Sequence, residues 1–116
     1  MTASPLIDSD YRKMVRDAAG DDYLRAMTDE CMALAQALLQ ERPAPDDATR
    51  ARAHRLAGGT ATAGLLQVAA ALKALEKACG ANPADDAWSA LLADGQAALA
   101  AAQAALSAEA STFSSR

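Results

Sequence analysis

The sequence predicts an all-α fold: an up-down four-helix bundle with a short extra helix at the N-terminus. Three observations carry this expectation. The 116 residues hold 33 Ala and 14 Leu against one Ile and two Val, and aromatic residues make up only 3% of the chain. Ala and Leu are the strongest apolar helix formers, whereas strands draw on β-branched and aromatic side chains. Apolar positions recur every three or four residues, which places them on one helix face. Short Gly- and Pro-containing breaks separate these stretches, and short links make antiparallel neighbours.

The elements follow in order. Asp8 or Ser9 caps a first helix that runs to about Ala18 and stops at Gly20. Asp21 and Asp22 suit the start of the second helix, both as caps and as charges at the positive dipole end. Its stripe is Leu24, Met27, Cys31, Leu34 and Leu38, and it ends at Arg42 and the break Pro43-Ala44-Pro45. Asp46 or Asp47 opens a third helix, which passes Arg50, His54 and Leu56 into the glycines Gly58, Gly59 and Gly64. The fourth stripe is Leu65, Val68, Leu72, Leu75 and Cys79. Gly80-Ala81-Asn82-Pro83 then breaks the chain, with Pro83 suited to the first turn of a fifth helix carrying Trp88, Leu91, Leu92, Leu99 and Leu106. Periodicity is lost from about Ser107. The expectation is a single domain, 1–116, with its core in 8–107 and a frayed tail over 108–116.

Composition also excludes function classes. A net charge of −4 and a pI near 4.8 argue against a nucleic-acid partner. Trp88 reads as a packing anchor, and neither it nor Phe113 makes a base-stacking platform. The nearest candidate for a membrane span, Ala97 to Leu106, is too short and too Ala-rich. Asp8 and Asp10 break any leader pattern, so a cytoplasmic protein with reduced thiols is expected. Cys31 and Cys79 sit on apolar stripes as small packing residues, and with one His they complete no usual zinc set. No metal and no cofactor are expected. There is no Gly-x-x-x-x-Gly-Lys-Ser/Thr loop for ATP, and no acidic pocket with a lysine of the receiver kind.

The third helix says more. Glycine in a helix interior costs about 0.8–1 kcal/mol relative to Ala and calls for a packing or functional reason. At about 100° per residue, Leu56, Thr60 and Ala63 lie about 180–240° from His54, while Gly58 and Ala61 lie within about 40° of it. His54 therefore points outward when Leu56 points inward. The turns above the imidazole carry no bulky side chain, which suits chemistry performed with another macromolecule.

His54, Leu56, Gly58 and Gly64, the small residues Thr60, Ala61 and Ala63, and the run Leu65, Leu72, Leu75 and Glu76 make the chain resemble the histidine phosphotransfer (HPt) domain family. That family's pattern is His-x-Leu-Lys-Gly, then small residues, a Gly ten positions after the His, and an apolar stripe. The resemblance spans about Arg50 to Cys79. It implies a phosphocarrier without kinase activity of its own. His54 would accept a phosphoryl group from an aspartyl phosphate on a receiver domain, of a response regulator or hybrid histidine kinase, and pass it to another. The receiver would contribute the Asp, Mg²⁺ and its own Lys.

Glu76 takes the position 22 after the His, where the family places a Gln or Glu that can hold the imidazole. Holding Nδ1–H would leave Nε2 as the attacking atom. Pairing of Glu76 with Lys73 or Lys77 on its own helix is the alternative. The family's lysine, three residues after the His, is Ala57 here. Arg50, one turn before His54, and Arg55 beside it could supply charge instead, or form a solvated face with Arg52. Gly58, Ala57, Ala61 and Arg55 are the expected partner contacts, and the carrier is expected to be a monomer. A non-phosphorylated helical adaptor that binds receiver or kinase domains is the other reading, favoured only by Ala57. A dimeric, kinase-like phosphotransferase is a third, against which a short chain complete in four helices counts.

Overall fold

The computed structural model describes residues 6–114, and among these every regular element is a helix: α1 (Ser9–Ala19), α2 (Asp21–Glu41), α3 (Asp47–Thr62), α4 (Leu66–Cys79) and α5 (Asp85–Ser114). Two aspartates start helices by accepting from the exposed amides of the first turn. Asp8, not Ser9, takes the Tyr11 N–H at 3.1 Å. Asp46, not Asp47, takes the Thr49 N–H at 2.9 Å, and that bond holds its carboxyl below the usual range. Gly20 alone separates α1 from α2, with φ at 101°. Arg42 ends α2 in the left-handed region just before Pro43.

The four long helices close a ring in which α2 packs on α3, α3 on α4, α4 on α5 and α5 on α2, while α1 lies against α2. The ring encloses Leu38, Leu39, Leu65, Val68, Leu72, Leu75 and Leu92, all nearly fully buried. Alanines fill the places where Leu would hold the helices apart: Ala35, Ala53, Ala63 and Ala102 are 0% exposed. Gly95 brings α5 so near α2 that a Cβ there would lie 2.8 Å from Leu39 Cδ2. Trp88 anchors the start of α5, and its Nε1–H donates to the Pro43 carbonyl at 2.8 Å. No helix among the described residues is long and apolar enough to cross a membrane.

Four details differ from the sequence expectation. Gly64 is not inside a helix; it turns the chain between α3 and α4 with φ at 76°. Pro83 stands two residues before α5 instead of in its first turn. Leu34 is 49% exposed, because the buried face of α2 runs through Leu24, Thr28, Ala35, Leu38 and Leu39 and that phase turns position 34 outward. The fifth helix does not end near Ser107 but continues through Ser114. Residues 115–116 of the tail lie outside the described residues.

The extension of α5 has a physical cause in α1. Arg12 is 3% exposed, and its Nε and Nη2 donate to the Glu109 carboxylate at 2.8–3.1 Å. Its Nη1 donates to Thr28 Oγ1 at 2.8 Å and to the Ala63 carbonyl at 2.7 Å. One guanidinium therefore ties α1 to α2, to the end of α3 and to the last part of α5. Breaking a buried ion pair from one side leaves an uncompensated charge, whereas replacing both partners by apolar groups removes it. Glu109→Ala is accordingly expected to lower stability by about 3 kcal/mol, and Arg12→Met combined with Glu109→Leu by much less. Urea unfolding of the two variants checks this; an equal loss in both would show that packing, not charge, holds the pair.

Candidate functional site

The buried side of α3 is formed by Thr49, Ala53, Ala57 and Thr60. Thr60 satisfies its hydroxyl within the helix, donating to the Leu56 carbonyl at 2.8 Å. That face lies about 220–300° round the helix from His54, so the imidazole emerges at the solvent side of the α3–α4 seam. The His54 side chain is 73% exposed. Leu56 is half-buried and packs against the core from the edge.

Across the seam, α4 presents Glu76. Its Oε2 lies 2.9 Å from His54 Nδ1, and its side chain is 31% exposed. A carboxylate can only accept at neutral pH, so this contact requires the proton on Nδ1. In the neutral ring Nε2 then carries the lone pair, and it has no partner among the described residues. Glu76 thus meets His54 and not Lys73 or Lys77.

His54 opens onto a groove of about 530 Å³ between α3 and α4. Arg50 lines it from α3, and Lys73 and Lys77 line it from α4. All three are exposed, and none is paired with a carboxylate among the described residues. Sequence reasoning weighed the two lysines only as pairing partners of Glu76, not as residues of the site. The signal was available, because residues 73, 76, 77 and 80 repeat at helical spacing and share one face of α4. Once Glu76 is set against His54, its two lysine neighbours face the same groove.

Gly58 is exposed one turn after His54, and a Cβ there would meet nothing within 4 Å. Gly59 has only an ordinary contact with Cys31 Sγ, 3.5 Å away. Neither glycine is required by packing within this chain, so the opening at Gly58 faces outward. Ala61 and Arg55 are exposed beside the groove but do not line it. Ala57 corrects an expectation. At 2% exposure it offers a partner almost no surface, and it forms the floor of the groove instead. It sits about 60° from His54 on the side where α4 closes on α3.

The remaining candidates are structural. Arg52 reaches Glu41 in α2 with two bonds of 2.8 and 3.0 Å, which holds the Glu41 carboxyl low. Cys31 and Cys79 are free and half-buried, and burial pushes both thiols up, away from the reactive thiolate.

The family model of the Hpt domain matches residues 21–111. The chain therefore belongs to the Hpt-domain family, whose role is histidine phosphotransfer in two-component signalling. Its members interact with receiver and kinase domains. No curated protein and no solved structure matches the chain. Helix α1, with Arg12, precedes the matched segment.

The His54–Glu76 contact makes a spectroscopic prediction. At alkaline pH, where the ring is neutral, imidazole ¹⁵N spectra of the wild type should show the Nδ1–H tautomer. Glu76→Ala should shift the ring toward the Nε2–H form. An Nε2–H ring in the wild type would mean that the carboxylate does not hold the imidazole.

Proposed function

We propose that this protein is a phosphocarrier in which His54 Nε2 takes a phosphoryl group from an aspartyl phosphate on a receiver domain and yields it to another. The observation that carries the reading is an exposed imidazole whose Nδ1 lies 2.9 Å from a carboxylate while Nε2 stands open. In the transfer, the Nε2 lone pair forms the N–P bond as the P–O bond to the aspartyl carboxyl breaks. The Asp leaves as a carboxylate. The ring becomes a phosphoimidazolium, and its remaining N–H stays shared with Glu76, which offsets the positive charge. Transfer to the second receiver reverses these steps.

Phosphoryl transfer asks mainly for positioning and charge stabilisation, so an open site on a rigid helix is sufficient on the carrier's side. The absence of a side chain at Gly58 supports the approach of a partner's backbone to within reach of Nε2. Helix α3 gains nothing internally from this glycine, which costs about 0.8–1 kcal/mol relative to Ala. The adaptor reading rests on Ala57 alone. Burial of that position weakens it, since a lysine there would have to run out along the groove to reach the imidazole.

Incubation with a phosphorylated receiver domain should give the wild type an acid-labile, base-stable label, as a phosphoramidate requires. His54→Gln should fold normally and take no label, because the imidazole carries no core packing and the chain has no second His. Label that survives in this variant, or a wild type that accepts none from any receiver, leaves the adaptor reading.

Gly58→Leu separates approach from folding. Stability should be unchanged or rise by up to about 1 kcal/mol, since the site is open and Leu favours the helix. Transfer should nevertheless fall more than ten-fold. Thermal melting and transfer rate, measured on the same sample, check this; a parallel fall of both would assign Gly58 to internal packing.

A further inference from the structure

We infer that Lys73 and Lys77 of α4, with Arg50 of α3, hold the oxygens of the phosphoryl group on His54. The inference rests on the phosphocarrier reading and names additional residues of that same site. Three observations carry it. First, the groove onto which His54 opens is lined by these three cations, while the single carboxylate there is engaged at 2.9 Å by the imidazole. Second, the lysines are scarce. The chain has only three, Lys13, Lys73 and Lys77, and carries a net charge of −4, yet two of the three line this groove.

Third, their placement carries a cost unless an anion comes between them. Lys73 and Lys77 are one turn apart on the same face of α4, and like charges at that spacing repel. A helix surface would ordinarily relieve this by pairing Lys with the neighbouring Glu. Glu76 instead turns to His54, and no carboxylate pairs with either lysine among the described residues. A phosphoryl group on Nε2 brings about two negative charges and three acceptor oxygens into the groove. It would convert the repulsion into two or three charge-assisted hydrogen bonds. Lysine stems are long enough to follow a group that the docked partner must also reach, and their heads remain hydrated when the phosphoryl group leaves.

The test must distinguish holding the phosphoryl group from docking the partner. At equilibrium, the ratio of phospho-His54 to phospho-receiver depends only on the free species, so contacts made only in the complex cancel from it. A cation that stabilises phospho-His54 does not cancel. The experiment uses the full chain and a phosphorylated receiver domain that labels His54, with the equilibrium approached from both directions.

Lys73→Ala and Lys77→Ala should each lower the equilibrium constant by about two- to five-fold, the range for one exposed charge, and the double variant by about their product. Lys73→Arg and Lys77→Arg should stay within about two-fold of wild type. Lys13→Ala should change nothing. Raised salt should bring the wild type toward the double variant by screening. A double variant with the wild-type equilibrium constant, whether or not its transfer rate falls, overturns this inference and leaves the relay reading standing. A wild type that takes no label from any receiver overturns the relay reading, and this inference with it.

Discussion

Gly64 turns the chain with φ at 76° in a space where a Cβ would lie 2.8 Å from Arg12 Cγ, and this turn fixes how α3 lies against α4. The two helices run back from Leu65, which is 0% exposed, in a register that can be counted. His54 and Glu76 each stand eleven residues from Leu65, Ala57 and Lys73 each eight, and Arg50 and Gly80 each fifteen. Every one of these residues lines the His54 groove. Equal counts bring antiparallel residues level, because both helices rise about 1.5 Å per residue. Adding a residue at the turn would carry Glu76 out of reach of the imidazole. Arg12 braces the turn from outside through the Ala63 carbonyl at 2.7 Å, and the Glu109 carboxylate holds Arg12 in place. A charge pair made through helices α1 and α5 thus ties down the turn from which α3 and α4 run.

Lateral spacing matters as much as register. A carboxylate on α4 can reach an imidazole on α3 at 2.9 Å only if the backbones run close together, and Ala53 and Ala57 allow this by filling the seam with methyl groups. The lysine that the family places at Ala57 would have to run its four-carbon stem out along the groove. This chain keeps the tight seam and sets its positive charges on the rim, at Arg50, Lys73 and Lys77. Packing density and charge placement are thus two parts of one local solution.

Much of this was legible in the sequence, for reasons that are local. Helix type, the breaks at Gly20, Pro43 and Gly80, and the outward phase of His54 follow from residue propensities and a 3.6-residue period, which act over a few positions. The juxtaposition of Glu76 with His54 was reached through family resemblance and not through spacing alone. What escaped was long-range or a matter of close fit. The partner of Arg12 lies 97 residues away, so the polar stretch after Ser107 reads as an end to periodicity when Glu109 in fact ties it to the bundle. Leu34 looked like core because Leu outranks Ala in hydrophobicity. The buried face of α2 instead runs through Thr28, Ala35, Leu38 and Leu39, and Ala35 takes the buried place. Ala57 looked like surface because it is near His54 round the helix, but the neighbouring helix decides which flank is covered.

The openness of the site is consistent with the chemistry proposed for it. A carrier must release what it accepts, so a deeply enclosed phosphoryl pocket would trap the group. In water, at an effective dielectric near 80, a charge pair at about 4 Å is worth about 1 kcal/mol; at an effective value near 20 it is worth about 4. With the side chain of His54 73% exposed, cations on the groove rim act in the weaker regime while the carrier is free. On the proposed relay reading, a partner that covers the groove would exclude water and strengthen the same contacts during transfer. A carrier of this kind would need no conformational change to alternate between holding weakly and assisting strongly. That reading asks only for a close seam, an open glycine at position 58, and cations that solvent screens until a partner displaces it.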